Sequence, residues 1–463
     1  MAGSSPESAR FIAAQVLRQF QPRRAYAGPI LNRLLNRTDE RQRATDLVFG
    51  VIRNLLAIDT VTTAFSGRPI ERINKTLLAV IRVGVYELIY RPDCPIYSIV
   101  NEAVNTAKHI GGRKQTGFVN AVLRQAVRHI TERQKELSAA SPRRTLVQTP
   151  QAGCEFDMDF LPDPEVSSSA YLSTCFSLPQ WLVEAWLSEF GLEQARQVCF
   201  GSNRRPSVYA RVNPLKTTGS NLLEQFAAAG IQAETVCGAR PTKACEMIKI
   251  TGPHAVPQLP GFAEGLFTIQ DVAASHAVRL LDPQPDWTIL DLCAAPGTKT
   301  MQLAEATQDS ARIIATDIDA KRLTMINENL TRFALQSVSV LPYAQLSQQD
   351  EGSFDAILLD VPCSNAGVLA KRIEVRFRIT RNSLKELTKT QRSLLEKAAR
   401  LVKPGGRICY STCSIQSAEN ADLIGAFLEG NGQFELTEEE LILPSAEGFD
   451  HDGAYAAVLT RRS

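Results

Sequence analysis

Asp291-Leu292-Cys293-Ala294-Ala295-Pro296-Gly297-Thr298-Lys299-Thr300 ends a short apolar stretch, 288–292, and opens at once onto a helical pattern. Small residues in such a turn let a ligand approach the backbone, and the helix start offers unpaired amides. Ligands of open α/β sheets bind at this place, outside the carboxyl ends of the strands. Taken alone the turn is weak evidence, because any tight strand-to-helix turn favours Gly and Ala. Outward from it, apolar stretches at 312–317, 338–341, 354–359 and 407–411 alternate with helices starting near Thr298, Asp319 and Leu387. That alternation predicts a parallel α/β sheet domain over 263–463.

The end of the second stretch adds a discriminating feature, Asp317-Ile318-Asp319. An acid at this point accepts hydrogen bonds from ribose hydroxyls. Asp319 also suits a helix cap. The chain has no G-x-G-x-x-G and no G-x-x-x-x-G-K-[ST], which argues against dinucleotides and ATP hydrolysis.

Two further stretches each end in a cysteine. The fourth runs into Asp360-Val361-Pro362-Cys363-Ser364, and the fifth into Ser411-Thr412-Cys413-Ser414, followed by Glu419-Asn420. A free cysteine is normally a small buried hydrophobe. Two at adjacent strand ends, one with an aspartate three residues before it, suggest chemistry. Carbon 5 of cytosine is a poor nucleophile. A thiolate that adds to carbon 6 makes carbon 5 electron-rich enough to take a methyl group from a sulfonium. The proton at carbon 5 must then leave and the thiolate be expelled, so a second thiol is useful. Asp360 is placed to stabilise charge near ring nitrogen 3 and the exocyclic amine. A free thiol titrates near about 8.5, so the nucleophile needs surroundings that favour thiolate.

The front of the chain differs in texture. Residues 6–137 carry apolar residues at helical spacing, as in Leu77, Leu78, Ile81, Val85, Leu88 and Ile89. Residues 139–174, rich in Ser, Pro, Thr and acids, read as a linker. A small α+β domain is expected over 175–262, with strands at 208–212 and 231–236 and a helix at 221–229. Net charge is only +2, but residues 1–150 hold 23 Lys and Arg against 11 Asp and Glu. The rest holds 28 against 38. A basic front joined to an acidic back suggests that the front meets a polyanion. Length favours two or three domains over one core. No apolar run approaches the ~18 residues of a membrane helix. The first ten residues are polar, unlike a secretion signal. The ten cysteines are therefore expected as reduced thiols in the cytoplasm. No pair has C-x-x-C spacing, so no metal site is expected.

These motifs together resemble the bacterial Sun/Fmu (RsmB-type) family of small-subunit ribosomal RNA cytosine-5 methyltransferases. The matching segments are D-L-C-A-A-P-G-T-K at 291–299, D-I-D at 317–319, D-V-P-C-S at 360–364 and T-C-S-x-x-x-x-E-N at 412–420. The resemblance implies an all-α NusB-like RNA-binding domain over 1–138, a small α+β domain and a Rossmann-like S-adenosylmethionine-dependent domain. It also implies a cytosine of 16S ribosomal RNA as substrate, no membrane and no metal; a monomer is expected. Cys413 would be the nucleophile, Cys363 would assist release, and Asp360 would complete the catalytic set. The cofactor would lie against Cys293, Ala294, Ala295, Pro296, Gly297, Thr298, Lys299, Asp317, Arg322, Tyr343 and Asp360.

Three positions depart from the family pattern. Thr298 stands where a second glycine is usual. Tyr343 stands where an acid usually contacts the adenine. Arg372-Ile373-Glu374-Val375-Arg376-Phe377-Arg378 replaces a His-Pro-Asp stretch, and its three arginines still suit phosphates. Two rival functions are open to such a chain. An amino-group methyltransferase would show Asp/Asn-Pro-Pro-aromatic, where this chain has Asp360-Val361-Pro362-Cys363. A non-catalytic RNA-binding factor would have no need of both cysteines and the loop.

Overall fold

The computed structural model describes residues 6–112, 116–236 and 246–463. They form two compact units, one of residues 1–204 with 372–378, the other of 205–371 with 379–463.

The first unit begins with seven helices: α1 Ala9–Gln19, α2 Ala27–Leu34, α3 Arg41–Arg53, α4 Leu55–Ser66, α5 Lys75–Tyr90, α6 Ile96–Gly111 and α7 Thr116–His129. The helix with the most buried residues, α5, packs against α1, α3, α4, α6 and α7. Glu87 on α5 is 2% exposed and receives both Nε and Nη2 of Arg10, at 2.6 and 2.9 Å. The helical expectation holds to His129. Then β1 (Ile130–Glu136) pairs with β3 (Ala152–Phe156), which pairs with β2 (Thr145–Val147), all antiparallel. Helix α8 follows over Ser168–Phe176, and α9 over Gln180–Asn203 with a break at Gly191. The stretch 139–174 is therefore not a bare linker: it holds β2, β3 and most of α8. Its turn-rich composition hid strands of three and five residues, which pair with each other as a hairpin while β3 also pairs with β1.

The arginines of 372–378 also need correction. Arg376 is 3% exposed and donates to the carbonyls of Arg53 (2.7 Å), Phe176 (3.1 Å) and Ser202 (3.1 Å) and to Asn203 Oδ1 (2.9 Å). Burial pulls its pKa down to about 9. Arg378 donates to the Pro22 carbonyl at 3.0 Å and lies over the Tyr26 ring. Glu374 accepts from the amide of Ala27, the first residue of α2, at 2.7 Å. These side chains satisfy backbone groups inside the first unit. Of the three arginines only Arg372 is exposed.

The second unit starts with a four-stranded antiparallel sheet in the order β5-β6-β4-β7. Its strands are β4 Val208–Val212, β5 Ala233–Thr235, β6 Met247–Ile250 and β7 Phe267–Ile269, and α10 (Gly219–Ala228) buries Leu222 and Phe226 in the same core. The chain continues through α11 His276–Leu281, β8 Thr288–Asp291, α12 Thr298–Ala306, β9 Arg312–Ala315, α13 Ala320–Phe333 and β10 Val338–Val340. Next come β11 Phe354–Asp360, α14 Arg381–Leu401, β12 Val402–Thr412, α15 Ala421–Gly430, β13 Phe434–Ile442 and β14 Ala454–Arg461. The seven-stranded sheet runs β10-β9-β8-β11-β12-β14-β13. Only β14 runs opposite to the other six strands.

Side chains alternate across this sheet, as strand geometry requires. Leu290, Ile357, Leu359, Ile408 and Tyr410 pack with Leu395 of α14 and Phe427 of α15. Ile289, Ala356, Leu358 and Cys409 pack on the opposite face with Val278 of α11 and Met301 of α12. Strand order reverses between β8 and β11, the switch point where such sheets bind ligands. Among the described residues no single helix is long and apolar enough to cross a membrane. None of them form a group of three His, Cys, Asp or Glu fit for a metal ion.

Candidate active site

Strand β8 delivers its loop to the switch point. The Ala294 amide donates to the Thr316 carbonyl (2.9 Å), and the Ala295 amide to Asp317 Oδ2 (3.2 Å). Gly297 caps α12 at φ +99°, a conformation that costs a side-chain-bearing residue energy, and a Cβ there would touch Ile326. Thr298 is already the first residue of α12, so no second glycine is required there. Asp317 is 4% exposed, and its Oδ1 accepts from the Asp319 amide at 3.0 Å. Arg322 on α13 lies 3.5 Å from Asp317 and donates to the Ala295 carbonyl. The structure thus joins Cys293 to Lys299, Asp317 and Arg322 into one brace. Asp319 caps α13 through the Lys321 amide, as expected.

Tyr343 follows β10, the strand next to β9 in the sheet. Its ring packs on the core formed with α14 and α15, and its hydroxyl accepts from Lys397 Nζ of α14 at 3.0 Å. The sequence reading also passed over Ile318. It is 81% exposed between the two acids, an apolar side chain held in water beside the loop.

Asp291 is fully buried; its Oδ2 accepts from Thr300 Oγ1 at 2.6 Å, and its Oδ1 has no partner among the described residues. Burial first, then the nearby Asp360 and Asp317, pushes its pKa up to about 7. Lys299 keeps its charge: burial alone would lower its pKa, but Asp360 at 2.6 Å holds it above the usual value. Asp360 ends β11, and its other oxygen accepts from Ser411 Oγ, its register partner on β12, at 3.0 Å.

Beyond these strand ends lie the cysteines. Cys363 Sγ and Cys413 Sγ are 3.1 Å apart, and both are free thiols. The hydrogen bond with Cys413, then burial, raises the Cys363 pKa well above that of an ordinary thiol. Cys363 therefore favours its protonated form. Cys293 is also raised, mainly by burial.

Two residues that had appeared only as motif letters build this corner. Glu419, fully buried, accepts from the Ser364 amide (2.8 Å), Ser364 Oγ (2.5 Å) and Gln391 Nε2 (2.9 Å). Asn420 accepts from Thr412 Oγ1 (2.7 Å) and donates to the Ser414 carbonyl (3.0 Å). Glu419 thus fixes the turn carrying Cys363, and Asn420 the turn carrying Cys413. Gly367 donates its amide to the Cys413 carbonyl at 3.0 Å, and a Cβ there would lie 2.8 Å from that oxygen and from the Gly453 carbonyl. A cleft opens beside Cys413, Lys299 and Ser411, lined also by Asp271, His276 and Asp452.

A small-residue turn after one strand, an acid at the end of the next and paired thiols at two others define an S-adenosylmethionine-dependent methyltransferase. Comparison with known proteins agrees. Residues 278–457 match the family described as 16S rRNA methyltransferase RsmB/F, residues 7–128 the NusB family, and residues 178–253 the ferredoxin-like domain of RsmF/B-like methyltransferases. A Synechocystis protein named "Probable ribosomal RNA small subunit methyltransferase B" is 31% identical, covering 95% of this chain and 93% of its own. The Serratia proteamaculans protein named ribosomal RNA small subunit methyltransferase B is also 31% identical, covering 93% and 92%. A solved structure of a methyltransferase homolog protein from Pyrococcus horikoshii is 26% identical, with a TM-score of 0.53 over 64% of this chain and 99% of its own. This chain belongs to the RsmB/F methyltransferase family, with a NusB helical domain, a small ferredoxin-like domain and a mixed-sheet methyltransferase domain.

Proposed function

We propose that this protein methylates carbon 5 of a cytosine in the 16S RNA of the small ribosomal subunit, through a covalent bond from Cys413 Sγ to carbon 6. The observation that carries this reading is the pair of free sulfurs 3.1 Å apart at the strand ends beside Asp360. The relatives named small subunit methyltransferase B support ribosomal RNA as the substrate. The base would enter the cleft beside Cys413, flipped from its stack. Of the two sulfurs, Cys413 is read as the one that attacks, with Cys363 favouring its thiol form beside it. Cys363, 3.1 Å from the attacking sulfur, would take part in release of the product. S-adenosylmethionine supplies the electrophilic methyl group when bound. Residues 293–299, Asp317, Arg322 and the exposed Ile318 would hold it, and Tyr343, steadied by Lys397, would stand at its adenine end.

Nucleoside mass analysis of 16S RNA methylated by the purified protein tests the proposal. Methylcytidine bearing its methyl on carbon 5 is the expected product. Methyl on the exocyclic amine would sink it and favour the amino-group reaction.

Asp360 carries a prediction of its own. Asp360→Asn keeps the shape and the Ser411 hydrogen bond but removes the charge that pairs with Lys299. Losing one such electrostatic group lowers kcat/KM by about 10²-fold. Activity within twofold of the unaltered protein would exclude Asp360 from the chemistry.

RNA is expected to meet the basic front of the chain. Arg18, Arg23, Arg24 and Arg33 are exposed on α1, the turn after it and α2. Neutralising all four should weaken RNA binding at low salt. It should also flatten the dependence of log affinity on log salt, by roughly 0.7 for each lost contact to single-stranded RNA. An unchanged slope would mark these arginines as ordinary surface.

A further inference from the structure

Asn365 touches the sulfur of Cys413, and the bonds around it fix what that contact can be. Its Nδ2 donates to the Cys363 carbonyl at 3.0 Å. A carbonyl oxygen only accepts, so the NH2 end of the amide must face Cys363 and Oδ1 must face the other way. Oδ1 lies 3.3 Å from Cys413 Sγ. The side chain cannot turn over without losing the Cys363 bond. Its backbone is held too: Asn365 sits at φ +62°, a left-handed conformation that Asn tolerates better than most residues. The amide therefore presents a fixed acceptor to the sulfur. An acceptor bonds an S–H but repels a thiolate, so it favours the protonated form.

We propose that Asn365 is a further catalytic residue that holds Cys413 as an aimed thiol in the resting enzyme. Its importance for turnover rests on Cys413 being the nucleophile; its effect on the sulfur does not. The other charged and titratable groups around this sulfur are common to all the variants. They are Cys363 on the β11 turn, Lys299 of α12 paired with Asp360 of β11, and Glu419 behind Cys363. Asp271, His276, Glu440 and Asp452 line the same cleft, with Lys371 bridging Asp271 and Asp452. Any difference between variants thus reports the amide.

The experiment is iodoacetamide alkylation of the full-length protein across pH, read at the Cys413 peptide by mass. Asn365→Gly keeps the left-handed backbone and removes the acceptor. Its alkylation midpoint should move to lower pH, with roughly fivefold faster reaction at neutral pH and equal rates at high pH. Asn365→Asp puts a carboxylate in the same place and should move the midpoint up. The acid limb of kcat/KM for methylation should shift in the same directions. Cys409, fully buried in β12, reports unfolding in the same digest if it becomes labelled. Variants whose rates differ by one constant factor at all pH values, with a common midpoint, would overturn the proposal, since that pattern is access alone. A raised midpoint for Asn365→Gly would overturn it too. Methylation surviving Cys413→Ala would refute the nucleophile assignment but leave the alkylation result standing.

Discussion

Cys413→Ala is expected to abolish methylation and the covalent complex together, while Cys363→Ala accumulates on RNA in a complex that survives denaturing electrophoresis. The asymmetry follows from order of events. Adduct formation needs only the sulfur that attacks carbon 6, so Cys363→Ala still attacks and still methylates once. Release then needs the carbon 5 proton removed and the first sulfur expelled, and Cys363 is the thiol positioned 3.1 Å away to help. The Cys413→Ala rate should fall by at least ~10³-fold, as for loss of a covalent nucleophile. Two cysteines that merely filled space would instead each tolerate Ala at ~1 kcal/mol, with activity kept. A Cys413→Ala protein that traps RNA while Cys363→Ala turns over would show the two roles reversed. Radiolabelled RNA and a denaturing gel separate all of these outcomes.

The parts of this site that could be read from sequence were those with local causes. The turn 291–300 follows a strand and caps a helix, so small residues and a following helical pattern announce it. Asp319 capping α13 is equally local. The central strands were legible because both faces are buried, which leaves runs such as Ile357-Leu358-Leu359. The edge of the sheet was not. Strand β13 exposes Glu435, Glu438 and Glu439, and β14 carries Ala454, Ala456 and Ala457 where branched residues would signal a strand. Their pairing is supplied by neighbours far along the chain. The same holds for polar residues whose meaning lies in what they touch. Glu419 and Asn420 could be quoted as motif letters, but their function as anchors of two separate turns needed the turns to be in place. Asn365 carried no signal at all. Residues 372–378 misled, because arginine in a sequence suggests phosphate, whereas Arg376 spends its donors on buried carbonyls.

Raising the pH should destabilise the second unit through Asp291, and Asp291→Asn should remove that loss. Asp291 lies at the base of the 291–300 turn, fully buried, with Thr300 as the one side-chain donor to its carboxyl group among the described residues. Its folded pKa stands at about 7, against about 3.9 in an unfolded chain. The direction of the effect follows from proton counts. Below about pH 4 both states hold the proton, and the full stability is present. Between about pH 4 and 7 the unfolded chain releases its proton while the folded protein keeps it, so stability falls as pH rises. Above 7 both are ionised and the loss is complete. The gap between the folded and unfolded values corresponds to a loss of about 4 kcal/mol. Asn carries no charge, and its Oδ1 can still accept from Thr300. The unaltered protein should therefore lose thermal stability from pH 5 to 8 more steeply than Asp291→Asn, and at pH 8 the variant should melt at the higher temperature. Melting curves of both proteins from pH 5 to 8, without cofactor, measure the difference. If Asp291→Asn melts below the unaltered protein at pH 8 as it does at pH 5, the buried carboxylate is stabilised as an anion. The brace of the loop would then work by charge rather than by a retained proton.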